Sequence, residues 1–475
     1  MGEGFMHLKI LDMFQFWGKA TLLFSTVLWI CSALSWYWHE SVTVFLALSF
    51  MVSGLGLLLM NMPRHNQVLH GTAWFLEILL FWHIISVVAA MPFYWMIPNI
   101  SWVDAYFEAM SGLTTTGIEV LSVSSMSKVM LFYHQALQFL GGIGVIVFIL
   151  AIFPEKFQNA ARLFNIEVTG PDGHKQFLTK VSSSARAFSG LYVMLSFLCM
   201  LGFVICGMDP FFAMCEAFGI ISTGGFSIHD AGLLHYQNEA ILWVAMSFML
   251  LGSLSFRCHY LFFIRRSFWA YFQDRESRYF LIYILGVFLI FAIYTVFSDS
   301  VSVSVLWLYQ IMSMLSTTGI VVSGLDENAS WFFLLSILAC IGGCAGSTSG
   351  GIKFARLIYL YRQFKRSLFY FINAHQVMAG DENDALGLSL QGLGAIILWS
   401  FVFFAFLLMC AGLGVAEGLQ LSLASVSCVG GMLLQAVPVA KTSCWVKLIA
   451  SEAMVAGRME LMVFWALFTL RYWRK

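Results

Sequence analysis

The chain has 475 residues, 60% of them apolar and only 11% charged, with a mean hydropathy of +0.83. A soluble domain carries about 25% charged residues, so this composition excludes one and indicates a polytopic membrane protein. Lysine plus arginine and aspartate plus glutamate number 25 each, which leaves no net electrostatic pull toward nucleic acid.

A bilayer core of ~30 Å needs ~20 apolar residues per helix. In chain order the first such run is 20–38, followed after a His39–Glu40 turn by 41–62, which together predict a helical hairpin. The second span follows at once and no A-x-A site intervenes, so the first is not read as a signal peptide. Further long apolar runs cover 72–97, 130–153, 187–208, 240–264, 279–298, 331–361, 391–416 and 443–470. The ten cysteines form no CxxC pair, which argues against zinc or a disulfide framework. No HExxH, GxSxG or P-loop motif points to an enzyme.

Basic residues gather in alternate connections: Arg64; Lys156 to Arg186; Arg257 to Arg278; Lys353 to Arg366; and Arg471, Arg474 and Lys475. By the positive-inside rule that side, with both termini, is cytoplasmic. The opposite connections hold Asp104, Glu108, Glu119, Asp209, Glu216, Asp230, Glu239, Asp326 and Glu327, an acidic outer mouth expected to concentrate cations.

Between paired spans, on that outer side, lie apolar segments too short to cross a bilayer. Each ends in small residues: Thr115-Thr116-Gly117, Thr223-Gly224-Gly225, Thr317-Thr318-Gly319 and Cys428-Val429-Gly430. The four glycines are 108, 94 and 111 residues apart, and nine residues before them stand Glu108, Glu216, Gln310 and Leu421. One Thr-Thr-Gly is worth little, because small residues are common where membrane helices pack. Repetition in register carries the inference: span, pore helix, glycine turn, span, four times. The units expected are 66–160, 161–270, 271–378 and 379–475, after an N-terminal hairpin at 1–65. Non-helical backbone at membrane depth must line protein or water. Four such turns around one axis can offer carbonyls to a dehydrated cation such as potassium.

A second feature, Gly342-Gly343-Cys344-Ala345-Gly346-Ser347-Thr348-Ser349-Gly350-Gly351-Ile352-Lys353, interrupts the span after the third turn. Each interior glycine costs a helix ~1 kcal/mol, so this stretch is expected to unwind into a flap across the inner pore rather than pack as helix. Arg458 lies inside the last span, where a charge is expensive. Either it pairs with Glu460 or Glu452, or it latches the flap. Glu77 and His83 read as packing residues rather than a proton relay.

These residues resemble the Trk-type potassium uptake proteins, the TrkH-like branch of the family that also holds the Ktr and plant HKT transporters. The resemblance rests on Leu113–Gly117, Gly141–Val147, Ser222–Asp230, Gly342–Lys353 with Arg356, and Gly457–Glu460. It implies an all-α membrane protein with four pseudo-repeats around a potassium pathway, two extra N-terminal helices and a homodimer in the bacterial inner membrane. It also implies a cytoplasmic nucleotide-binding partner of the TrkA type, an intramembrane gate at Gly342–Lys353, and an arginine, Arg458, lying against that gate. One position departs: the fourth turn of such proteins usually reads Asn-x-Gly-Pro-Gly, whereas here it is Ser427-Cys428-Val429-Gly430-Gly431.

The function expected is therefore potassium uptake, with K+ as transported ion, no organic cofactor and no enzyme activity. A rival reading is a secondary transporter for an organic solute, with broken helices around a midplane site; that class shows two related halves rather than four quarters. A membrane-embedded enzyme would need clustered acids, histidines or a nucleophile within the spans, and the few there are dispersed.

Overall fold

The computed structural model describes residues 2–62, 73–142, 144, 181–297, 305–320, 336–372, 384–434, 437–459 and 461–468. Among them the chain is helical and without β-strands, as hydrocarbon requires of segments that must satisfy their own backbone groups. The N-terminal hairpin is α1 (Gly2–Tyr37) packed along α2 (Thr43–Met60). Gly18 and Gly56 face each other so closely that a side chain on either would strike the other's backbone. The Ser32 and Ser49 hydroxyls meet at 3.2 Å. Close approach through small residues is the usual cement where lipid supplies no hydrophobic drive. Helix α1 starts well before the expected span because no proline interrupts residues 2–37.

Four units of one pattern follow. The first holds α3 (Ala73–Met96), α4 (Trp102–Leu113) and α5 (Lys128–Gly142). The second holds α6 (Val181–Ile205), α7 (Pro210–Ile221) and α8 (Glu239–Ser253), followed by α9 (Phe256–Arg265) and α10 (Trp269–Gln273). In the third, α11 (Arg275–Phe297) and α12 (Val305–Leu315) precede helical residues 336–341 and α13 (Phe354–Ile372). The fourth is α14 (Asp384–Cys410), α15 (Val415–Ser427), α16 (Cys444–Arg458) and α17 (Leu461–Ala466).

The short helices α4, α7, α12 and α15 are each packed by a long helix of the preceding unit wherever such a contact is described: α5 against α7, α8 against α12, and α16 against α4. The order runs round and closes on itself, so the four units surround one axis. Four same-direction quarters are not the two halves of the rival transporter class.

Three expected spans differ. The run 240–264 is two helices bent by 97°. The cause lies in the third unit: the Cys344 and Thr348 N–H groups donate to the carbonyls of Ser253 and Gly252, and Phe256 N–H donates to Gly346 O. Those contacts take the groups that would have continued α8. The run 331–361 breaks over 342–353, as its glycines require, and in 443–470 the helix ends at Arg458. Other parts of the expected spans, such as 145–153, lie outside the described residues.

Candidate functional site

Three of the short helices begin with a described cap, and all four end in the same way. Ser101 Oγ accepts from Asp104 N–H (3.1 Å), Asp209 Oδ1 from Phe211 N–H (2.9 Å), and Glu417 Oε2 from Gly414 N–H (3.1 Å). At the C-termini, Thr116 donates to Ser111 O while Thr115 donates to Gly112 O. Gly224 with Thr223, Thr318 with Thr317, and Val429 with Cys428 repeat that pair of bonds. This is the Schellman motif, whose penultimate residue sits in the left-handed region and is usually glycine. Here that residue is Thr115, Thr223, Thr317 or Cys428, at φ of 54°, 52°, 60° and 50°. A β-branched residue there is an outlier, and strain of this kind persists only where surroundings enforce it.

Two residues on, Gly117, Gly225, Gly319 and Gly430 return to positive φ (75°, 85°, 70° and 87°). Alternating hand turns successive peptide planes the same way, so consecutive polar groups line one side of the strand. The turns also interlock. A Cβ on Gly117 would overlap the Gly224 carbonyl oxygen, one on Gly225 that of Thr318, one on Gly319 that of Val429, and one on Gly430 that of Thr116. Each glycine thus abuts the carbonyl preceding the next turn's glycine, and the fourth abuts the first. Only glycine fits these four positions. The fourth turn, despite lacking threonine, has the same backbone as the others and is tied to the first by Gly431 N–H donating to Gly117 O (3.1 Å).

Buried side chains brace the turns from behind. Ser111 Oγ accepts from Ile118 N–H (2.8 Å), and Ser313 Oγ accepts from Ile320 N–H (3.0 Å). The Thr114–Thr116 and Ser316–Thr318 hydroxyl pairs both meet at 2.8 Å. Glu108 accepts from Val120 N–H (2.8 Å), and Glu216 accepts from Ser227 Oγ (2.9 Å) and Ile228 N–H (3.2 Å). Glu108 and Glu216 were expected at the ion-attracting outer mouth. Both are instead fully buried, because the peptide N–H groups leaving each turn need acceptors. Asp104 pairs with Lys447, and Asp326 and Glu327 lie outside the described residues.

Residues 342–353 form an irregular loop against these turns, with positive φ at Gly342, Gly346, Gly351 and Lys353. Thr348 Oγ1 donates to Ile221 O (2.8 Å) at the end of α7 and to Gly252 O (3.0 Å). Gly350 N–H donates to Thr317 Oγ1 (2.7 Å), and Gly351 N–H donates to Ser427 O (2.8 Å). The Ser349 hydroxyl lies 2.9 Å from Thr317 Oγ1 and accepts from Gly343 N–H (2.7 Å). Lys353 Nζ donates back to Ser347 O (3.3 Å) and Ser349 O, folding the loop on itself. Glu276 Oε1 accepts from Ala345 N–H (2.6 Å) and Ala355 N–H (3.0 Å), fastening both ends to α11.

Arg458 reaches the flap. Its Nη1 donates to Thr348 O (3.3 Å), and its Nη2 donates to Gly142 O (2.9 Å) and Gly141 O. Glu452 instead lies 3.6 Å from His83, whose Nδ1 is 2.8 Å from the Tyr106 hydroxyl. Glu460 and the Glu77 side chain lie outside the described residues. All the turn and flap residues singled out by sequence are thus brought together, with Arg458 against them. Missed were Gln135, Gln138, His134 and Glu276. The one available signal was the i, i+3 glutamine pair ending three residues before Gly141-Gly142.

A family model described as "TrkH: Cation transport protein" matches residues 39–426. The chain is 30% identical over 440 residues to the Trk system potassium uptake protein TrkH of Halomonas elongata, covering 89% of this chain and 90% of that protein. It is 31% identical over 423 residues to the protein of the same name from Escherichia coli, covering 84% and 86%. The crystal structure of the potassium transporter TrkH from Vibrio parahaemolyticus superposes with a TM-score of 0.88 at 26% identity, over 98% of this chain and 99% of that one.

Proposed function

The chain belongs to the TrkH family of cation transport proteins, and from that premise we propose that it takes up potassium across a bacterial inner membrane, with both termini cytoplasmic. Dehydrated potassium is held by backbone carbonyls of Thr115, Thr116 and Gly117; Thr223, Gly224 and Gly225; Thr317, Thr318 and Gly319; and Cys428, Val429 and Gly430. The observation that carries this reading is the closed ring in which every turn has the same two left-handed residues and abuts the next turn's carbonyl. A ring of carbonyls replaces the hydration shell of a monovalent cation. The C-terminal ends of α4, α7, α12 and α15 add partial negative charge toward the same axis.

Below the ring, the Gly342–Gly351 flap with Lys353 forms the gate, and Arg458 holds it shut. Every bond from Thr348, Gly350 and Gly351 to a pore element must break for the flap to withdraw. The protein works as a homodimer regulated by a cytoplasmic nucleotide-binding subunit of the TrkA type docked on the basic connections. Vesicle flux tests the filter: Gly225→Ser, which forces a side chain against Thr318 O, is expected to lower the potassium/sodium ratio. An unchanged ratio in a folded variant sinks the filter assignment.

A further inference from the structure

The four turns are not braced alike. Six residues before each glycine stand Ser111, Gly219, Ser313 and Ala424, and one residue before stand Thr116, Gly224, Thr318 and Val429. Turns one and three supply hydroxyls at both places and use them internally. Turn two has no side chain at either. Its support comes from the neighbouring unit. Gln138 Nε2, on α5, donates to Gly224 O at 2.5 Å, and Gln135 Nε2, one helical turn earlier, donates to Phe226 O at 3.0 Å. Residues three apart share a helix face, so α5 presents two amides in parallel to two carbonyls flanking Gly225.

The chemistry of the acceptors fixes the amide orientation. Only the NH2 end of an amide can face a carbonyl oxygen. Both Oε1 atoms therefore point away, and both are buried without a partner among the described residues. They crowd the Cα of Gly219: a methyl there would lie 2.9 Å from Gln135 Oε1, 3.4 Å from Gln138 Oε1 and 3.0 Å from Phe226 O. The absence of a side chain at Gly219 makes the room that the glutamines occupy. A buried amide with one half unpaired is costlier than an apolar residue of the same size. Fold stability alone does not account for two of them side by side.

We infer that Gln138, supported by Gln135, is a specificity-determining residue of the second turn. This rests on the carbonyl-filter reading above. Gly224 O is the oxygen against Gly117, at the seam between turns one and two. A donor behind it acts in two ways. It restrains the oxygen from moving inward toward a smaller ion, and it withdraws electron density, lowering the field that oxygen presents. Both effects disfavour sodium, the smaller cation that needs shorter and stronger contacts, relative to potassium. The hydroxyl pairs of turns one and three make their restraint locally; turn two imports it across the seam.

The test uses the full chain in liposomes, with potassium, rubidium and sodium flux measured for Gln138→Leu, Gln138→Asn and Gly225→Ser. Leucine keeps the volume and removes the donor. Asparagine keeps the amide but is one methylene too short to reach Gly224 O, and it carries the test if the leucine variant fails to give a monodisperse protein. The expected result for either is a potassium/sodium ratio lowered about fivefold, the factor that one net hydrogen bond represents, through a rise in sodium flux. Equal proportional loss of potassium and sodium flux would mean that Gln138 only supports the fold, and would overturn the inference. So would an unchanged ratio in the Gln138 variants while Gly225→Ser lowers it. If Gly225→Ser also leaves the ratio unchanged, the filter reading itself fails.

Discussion

The Arg458 guanidinium lies 3.3 Å from the Thr348 carbonyl oxygen and 2.9 Å from that of Gly142, so one side chain ties the flap to the end of α5. Three carbonyls share its charge, and a charge-assisted hydrogen bond is worth about 1.5–3 kcal/mol. If the flap is the gate, Arg458→Ala releases it: basal potassium flux is expected to rise about tenfold, with the potassium/sodium ratio unchanged. Arg458→Lys should rise less, because an ammonium is a point donor and cannot bridge carbonyls in a fixed fork. A ratio that shifts without a change in flux would contradict the assignment of Arg458 to the gate.

Glu108 and His134 make a second cross-element pair, with Oε1 and Nε2 2.7 Å apart and both side chains fully buried. His134 also stacks on Phe226 at 3.6 Å between centroids, linking the first turn's brace to the residue after Gly225. Truncating Glu108 leaves His134 Nε2 and the Val120 N–H buried without that acceptor, and truncating His134 leaves Glu108 its backbone donors alone, a cost of about 1–3 kcal/mol for a lost buried partner. Glu108→Ala and His134→Ala are each expected to lower the thermal unfolding temperature in detergent markedly. The double variant should lose much less than the sum of the two. Additive losses would show that the two residues act independently.

The sequence made the frame readable because its signals are local. Apolar run length marked the spans, and a small-residue cluster ending in glycine, repeated in register, marked the turns. What stayed hidden depends on which elements meet. The bend after Ser253 arises because flap residues from the third unit capture its carbonyl, and no feature of 240–264 announces that. Glu108 and Glu216 looked like surface acids, since their acceptor role answers peptide N–H groups twelve residues further on. Gln138 and Glu276 act on segments 86 and 69 residues away. Arg458 was left between an acid and the flap by sequence, and its bond to Thr348 O appears only once the units are packed.

Cys428 occupies in the fourth turn the left-handed position that threonine holds in the other three, at φ 50°. Its thiol makes long contacts, 3.7 Å to Ser425 O and 3.9 Å to Met454 O, and meets the Thr116 side chain. A non-glycine residue in this region costs roughly 1–2 kcal/mol, so Cys428→Gly relieves strain while giving up a small buried side chain. The variant is expected to unfold within about 1 kcal/mol of the parent and to retain potassium flux, since the proposed ligand there is the backbone carbonyl. Cys428→Val adds a branched Cβ to the same strained backbone and should be clearly less stable in detergent melts. Loss of flux in a stable Cys428→Gly protein would assign the thiol itself a role in ion passage.

On the outer connection after the second turn, the His229 ring stacks on His235 at 3.8 Å between centroids and 17° between planes. Its Nε2 lies 3.2 Å from the Tyr236 hydroxyl. Burial, and then the facing His235, hold the His229 imidazole below the ordinary histidine value of 6.5, while Asp230 pulls the other way. A histidine depressed in the folded state binds fewer protons there than in the unfolded chain. Stability therefore falls as pH drops below 6.5, toward the lowered folded value, and is flat above it on this group's account. Melting temperature measured from about pH 7.5 down to about pH 5.5 should decline, and His229→Gln should flatten part of that decline by removing the titrating ring. Asp230→Asn, which deletes the opposing charge, should steepen it. An identical slope in the parent and the His229→Gln protein would place the acid sensitivity elsewhere in the molecule.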